Sequence, residues 1–238
     1  MKIDDQSAYR EATELEIMTQ YLPLEGARIL ELGCGTARTT RTIAERFRPA
    51  RIIATEVDLA QHRKNLQIED LDRVEFVYGG AERIELEDGS IDLVIMLKSL
   101  HHVPLELMTQ ALSEIGRVLK PGGLAYISEP VYRGEFNEIM RLFHDEKVVR
   151  QAAFDAISQA VESGRLSLVE QIFFDAPGHF DDFAQFEARM LRVTHTEHRI
   201  DEALLQRIRS AFERHMTATG ASFLKPSRVD LLRRPPAA

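Results

Sequence analysis

With 238 residues, 44 % of them hydrophobic and 29 % charged, the chain can close the core of one soluble domain with an elaborated end. Its formal net charge of −8 disfavours a nucleic-acid partner, and a single cysteine, Cys34, excludes a disulfide framework or a cysteine zinc cluster and suits a reducing, cytoplasmic setting. Acids interrupt residues 1–25, against a secretory signal, and no run of about eighteen apolar residues marks a membrane span.

In chain order, residues 6–21 predict a leading helix. Brief, nearly continuous apolar runs at 28–32, 51–57, 74–78, 92–97 and 124–129 predict strands covered on both faces. Residues 36–48 put Ala37, Thr40, Ile43, Ala44 and Phe47 on one helical stripe, with the arginines mostly off it. Residues 104–119 open on Pro104, carry Leu105, Met108, Leu112, Ile115 and Leu119 at helical steps, and stop at Pro121-Gly122-Gly123. This alternation argues for an α/β domain with a parallel sheet and right-handed crossovers. After Glu129 the rhythm changes: 133–163, 181–193 and 201–218 read as helices, with strands at 168–174 and 228–232. Ten of the twelve phenylalanines lie at or after Phe136, which calls for a second core, an apolar pocket, or both.

The densest signal is Ile29-Leu30-Glu31-Leu32-Gly33-Cys34-Gly35-Thr36-Ala37-Arg38, a strand that ends in Gly-x-Gly and runs into a helix. Glycine permits the tight turn and the close approach of a ligand, although an ordinary strand-to-helix turn uses it too. Arg38 stands where a dinucleotide-binding pattern would place its third glycine, which disfavours a pyrophosphate clasp. Glu31 would repel a pyrophosphate and suits an ammonium or sulfonium ligand. The next strand ends in Thr55-Glu56-Val57-Asp58, where Glu56, or Asp58 further on, can accept from both hydroxyls of a ribose.

Glu31-Leu32-Gly33-Cys34-Gly35-Thr36 resembles motif I of the class I S-adenosylmethionine-dependent methyltransferases, in the branch near the ubiquinone/menaquinone methyltransferases. The likeness continues through Glu56, Gly79-Gly80-Ala81-Glu82, Ser90-Ile91-Asp92-Leu93-Val94, Leu100-His101-His102-Val103 and the run from Ile115 to Gly123, covering about residues 25–130. It implies an open, doubly wound Rossmann-like sheet of seven strands, the last antiparallel, with a helical C-terminal insertion. One methyltransferase domain would span 1–238: a leading helix over 1–25, a cofactor core over 26–130, a largely helical acceptor or lid region over 133–218, and the last strand and tail over 219–238. The resemblance puts Gly33, Cys34, Gly35 and Thr36 against the methionine part and ribose of S-adenosylmethionine, and Glu31 near its ammonium. Glu56 would hold the ribose, Val57 would pack on adenine, Ala81 and Glu82 would flank the adenine edge, and the Leu97 backbone would face the methionine. The family usually has Asp where this chain has Gly80, so Glu82 or a backbone carbonyl must take over the adenine amino group.

Methyl transfer is a direct displacement, so alignment matters most, and only some acceptors need a base. The base candidates are Glu129, His101, His102 and His144, while Tyr132 and Arg133 could steer an acceptor. No metal is expected: His195-Thr196-Glu197-His198 lacks a third ligand, and Leu97 and Lys98 stand where metal-dependent relatives need an acid. Cys34 is read as packing rather than as a nucleophile. The expected partner is a small-molecule acceptor; an aminopropyltransferase, a non-catalytic cofactor-binding module and a nicotinamide oxidoreductase are the rivals. Lys98 argues against a polyamine acceptor.

Overall fold

The computed structural model describes residues 1–192 and 199–236; the motif at 195–198 lies outside the described residues. A two-residue strand β1 (Arg10–Glu11) precedes helix α1 (Glu14–Tyr21). The Thr13 hydroxyl accepts from the Glu16 amide and the Glu16 carboxylate accepts from the Thr13 amide, so the helix begins here and not at residue 6. The core then runs β2 (Arg28–Leu32), α2 (Arg38–Phe47), β3 (Arg51–Glu56), α3 (Leu59–Asn65), β4 (Val74–Tyr78), β5 (Ile91–Leu97), α4 (Met108–Val118) and β6 (Leu119–Pro130). Helix α3 was not expected. It has seven residues and a mostly polar sequence, so no apolar period announces it, and Asp58 caps it by accepting from the Ala60 and Gln61 amides.

Beyond β6 come α5 (Glu135–Met140), α6 (Lys147–Glu162), β7 (Ser167–Phe180), α7 (Phe183–Phe186), α8 (Glu202–Glu213), β8 (Met216–Thr217) and β9 (Gly220–Arg233). The single helix expected over 133–163 is broken between α5 and α6, and the break carries Glu146 inward until it is buried. Strands β7 and β9 are much longer than expected, paired from Ser167↔Arg233 to Phe180↔Ala221. Pro177, Gly178 and Pro226 lie in the added length of this ribbon. They are tolerated because the ladder between β6 and β9 ends at Pro130↔Ser227, so beyond it the ribbon is no longer an interior part of the sheet.

The sheet order is β1-β7-β9-β6-β5-β2-β3-β4, with β8 paired to β9. Seven long strands reproduce the expected sheet, with β9 antiparallel between β6 and β7; the two-residue β1 and β8 are additions. Leu30, Leu32, Val94, Met96 and Ile127 pack one face against α4 and α6, whereas Ile29, Ile52, Leu93, Ile95 and Tyr126 meet Ile17, Met18 and Ile43 on the other. That double cover is why these strands read as continuous apolar runs. A third core gathers Phe180, Phe183, Phe186, Phe212 and Phe223 with Ile139 and Ile208. The rings meet mostly edge on, Phe180 to Phe186 at 5.3 Å and 70°. Among the described residues no helix is long and apolar enough to cross a membrane.

Phe186 is fully buried at the centre of this third core. Phe186→Ala should therefore cost about 3–5 kcal/mol, read from denaturant unfolding of the full chain.

Candidate functional site

The turn after β2 is pinned to the neighbouring strand. The amides of Gly33 and Cys34 both donate to the Thr55 carbonyl, at 3.1 and 2.9 Å. Gly33 has φ +75°, and a Cβ there would lie 2.8 Å from the Ser99 Cβ, so neither its conformation nor its space admits a side chain. Gly35 has φ +52° but open space around it, so only its backbone requires glycine. Asn65, on α3, donates to the Gly35 carbonyl at 2.8 Å. The buried Cys34 thiol is pushed up to about 12, first by burial and then by Glu31 and Glu56, which leaves it inert as a nucleophile.

Two carboxylates lie beneath this turn. Glu56, 8 % exposed, accepts from the Gly35 amide through one oxygen (2.8 Å) and from the Val57 and Asp58 amides through the other (2.8 and 2.9 Å). It is a buried clamp between β3 and the turn, not a solvated strand end. Asp58 is committed to capping α3. Glu31 is buried, and its hydrogen bond from the Thr40 hydroxyl at 2.6 Å only partly offsets burial, which pushes it up to about 7. Together they make the turn a place for positive charge and hydroxyl donors. Beside them Val57 is 58 % exposed, an apolar surface open to a flat ring. Thr36 is exposed at the turn, and Leu97 is half-buried at the end of β5.

At the third motif, Ala81 is buried and Glu82 half-buried. The Glu82 side chain folds back over Gly80, with its Cδ 2.7 Å from where a Gly80 Cβ would stand. The longer acid thus occupies the space that an aspartate at position 80 would fill. Gln110 donates to the Glu82 carbonyl at 2.8 Å, and Glu114 accepts from the Ile84 amide at 2.9 Å, so α4 holds this loop.

Past β5 and β6, His101 is buried between two acids. Its Nδ1 hydrogen-bonds Glu129 and its Nε2 lies 3.3 Å from Glu146. Burial alone would depress its pKa, but the two carboxylates outweigh burial and push it up to about 9. His101 is therefore an imidazolium with both nitrogens committed. The second Glu129 oxygen accepts from the Leu100 amide at 3.0 Å. Glu146 also binds His144 at 2.9 Å and Arg150 at 2.5 Å; His101 and Arg150 overcome its burial and hold it well below the usual carboxylate range. His102 is exposed, its ring 4.1 Å from that of His101. His101, His102 and Glu146 bring potential ligand atoms within 4.8 Å of one another, but Arg150 neutralises the acid and both His101 nitrogens face carboxylates.

This network forms one wall of a cavity of about 330 Å³ between the β5–β6 edge, α5 and the segment after α7. Lys98, Phe136, Asn137, Met140, Met190 and Lys225 line it. Of the expected residues it gathers His101, His102, His144 and Arg133; Glu129 stands behind His101, and the glycine turn does not reach it. A larger cavity, of about 630 Å³, lies along the β7–β9 ribbon beside Arg133 and His179, away from all of the expected cofactor residues. Sequence reasoning missed Asn65, Glu146 and Lys225, which act across tertiary contacts that no local pattern marks, and it placed Thr40 on a helical stripe without its bond to Glu31.

A protein-family model described as a methyltransferase domain matches residues 29–123. The malonyl-[acyl-carrier protein] O-methyltransferase of Marinomonas sp. (strain MWYL1) is 30 % identical over 68 % of this chain and 64 % of its own length. A demethylmenaquinone methyltransferase of Listeria welshimeri is 33 % identical over 50 % of this chain and 56 % of its own length. The chain thus spans less than two thirds of these curated relatives. The crystal structure of the YcgJ protein from Bacillus subtilis shares the fold with TM-score 0.62 at 17 % identity, covering 94 % of this chain and 97 % of its own.

Because the folded pKa of His101 is raised, the stability it contributes is complete below its unfolded value of about 6.5 and is lost as pH rises through about 9. Denaturant titrations from pH 6 to pH 9.5 should show this decline, and His101→Gln should flatten it.

Proposed function

We propose that this chain is a class I S-adenosylmethionine-dependent methyltransferase that methylates a small, partly apolar acceptor seated in the cavity beside His102. The observation that carries this reading is the glycine turn with two buried carboxylates beneath it. In this reading Gly33, Cys34, Gly35 and Thr36 line the methionine and ribose, and Glu31 answers the ammonium. Glu56 accepts from a ribose hydroxyl with the one lone-pair site that its three backbone bonds leave on Oε2. Val57 offers its exposed face to adenine, Ala81 and Glu82 flank the adenine edge, and the Leu97 backbone faces the methionine.

S-adenosylmethionine, when bound, supplies a methyl group already activated on a sulfonium sulfur. The chain's own task is alignment and exclusion of water. Glu129 and His101 hold the end of β6 to the turn after β5, so they act by positioning. His102, at the cavity wall, is placed to take a proton from a hydroxyl acceptor. The cations at this cavity oppose a polyamine acceptor, which weighs against aminopropyl transfer. A reducing, cytoplasmic location suits the buried lone thiol.

Thermal-shift measurements should rank S-adenosylmethionine and its demethylated product above NAD; stabilisation by NAD alone would overturn the reading. Glu56→Ala should weaken S-adenosylmethionine binding by about 1.5–3 kcal/mol in calorimetry. Glu31 shifts stability in the same direction as His101, over a lower pH window and for the opposite reason, since the fold favours its neutral form. Its raised folded pKa makes ionisation costly in the fold, so stability falls as pH climbs from about 4.5 to about 7. Glu31→Gln should accordingly stabilise the chain at pH 8 by on the order of 2–3 kcal/mol while weakening cofactor binding. If Glu82 serves in place of an aspartate, Glu82→Ala should weaken binding and a second change, Gly80→Asp, should restore it.

A further inference from the structure

The cavity beside His101 collects donors and cations that the fold itself does not satisfy. Although the chain carries 38 acids against 30 lysines and arginines, Lys98, Arg189 and Lys225 line this one space. None of the three has an acidic partner among the described residues. Of the other charged groups here, Arg133 is paired with Asp4 at 3.1 Å, and Arg150 with Glu146, the cavity's one acid. Lys225 has only the Phe136 ring, 5.4 Å from its ammonium, and Arg189 has the His179 carbonyl at 3.4 Å.

Two further observations point the same way. Asn137 is 6 % exposed and lines the cavity; its carbonyl accepts from Arg150 at 3.0 Å, but its buried amide Nδ2 has no hydrogen-bond partner. An orphaned donor of this kind is costly unless a ligand satisfies it. Lys98 holds φ +53°, a strained value for a residue with a side chain, directly after Leu97 at the end of β5. Burial, Lys98 and Arg189 together lower Lys225 to about 8, so both of the other cations lie near enough to repel its ammonium. Every unsatisfied group is a donor.

We propose that the acceptor is an amphipathic anion whose head group is held by Lys98, Arg189, Lys225 and the Asn137 amide, while its apolar body lies on Phe136, Met140 and Met190. This deepens the methyltransferase reading and rests on it, since that reading makes the cavity the acceptor site. Carboxylate and phosphate head groups share the chemistry required: multiple acceptor oxygens and negative charge, held by charge-assisted hydrogen bonds.

Calorimetry on the full chain saturated with S-adenosylhomocysteine, titrated with sodium octanoate, octyl phosphate and neutral 1-octanol, tests the assignment. At least one anion should bind about tenfold or more tightly than 1-octanol, and whichever binds better identifies the head group. Lys225→Gln and Asn137→Asp should each weaken that anion about tenfold and leave 1-octanol unchanged. Lys98→Gln, at an exposed position, repeats the test should either of these variants fail to fold. Equal binding of 1-octanol and both anions, or anion affinity unmoved by the substitutions, overturns the proposal. Failure of S-adenosylhomocysteine to bind would instead count against the methyltransferase reading, and the same series on the unloaded chain would still decide the anion.

Discussion

Glu56 ties the end of β3 to the turn after β2, and the candidate cofactor site depends on that tie. Three backbone amides that would otherwise be orphaned at the carboxyl edge of the sheet converge on this one side chain. The turn they hold uses left-handed backbone at Gly33, Gly35 and Ala37, costly only at Ala37, where a clamped loop can sustain it. A carboxylate in this place does two jobs. It closes the loop, and it leaves negative charge at the mouth of the cleft, where a cationic ligand with free hydroxyls finds its acceptors.

Charge is sorted spatially along the same sheet edge. Glu31 and Glu56 lie under the turn, with Glu31 kept half-ionised near neutral pH by its burial. Past β5 and β6, His101 sits as a cation between Glu129 and Glu146, and Arg150 balances the second acid. That network is self-contained and buried, so it locks the strand ends together and forms a rigid wall. Beyond the wall the sign reverses, and Lys98, Arg189 and Lys225 are left facing a cavity with apolar sides. A cationic cleft ligand and an anionic neighbour could thus be held side by side without either being drawn into the other's site.

The C-terminal region owes its shape to phenylalanine. Its third core is made of ring contacts among residues from β7, α7, α8 and β9. This core stiffens the β7–β9 ribbon that carries Lys225, while Phe136, stacked on Phe180, turns another face toward the cavity. The concentration of phenylalanines from residue 136 onward therefore reports this separate core and, through Phe136, a pocket wall together.

What the sequence by itself determined was the parallel core and the glycine turn, because both are written locally. Strands covered on two faces must be apolar throughout, α2 and α4 show their buried stripes at helical period, and a left-handed turn needs glycine at set positions. It also marked Glu31, Glu56, His101 and Glu129 as residues of the sheet's carboxyl edge. Only the tertiary structure decided what these groups do. That Glu56 clamps a loop, that His101 is charged, that Glu82 fills the space over Gly80, and that Lys98, Asn137 and Lys225 meet at one cavity all depend on residues far apart in the chain. Protonation and hydrogen-bond partnership are set by burial and neighbours across the fold, and a one-dimensional pattern carries neither.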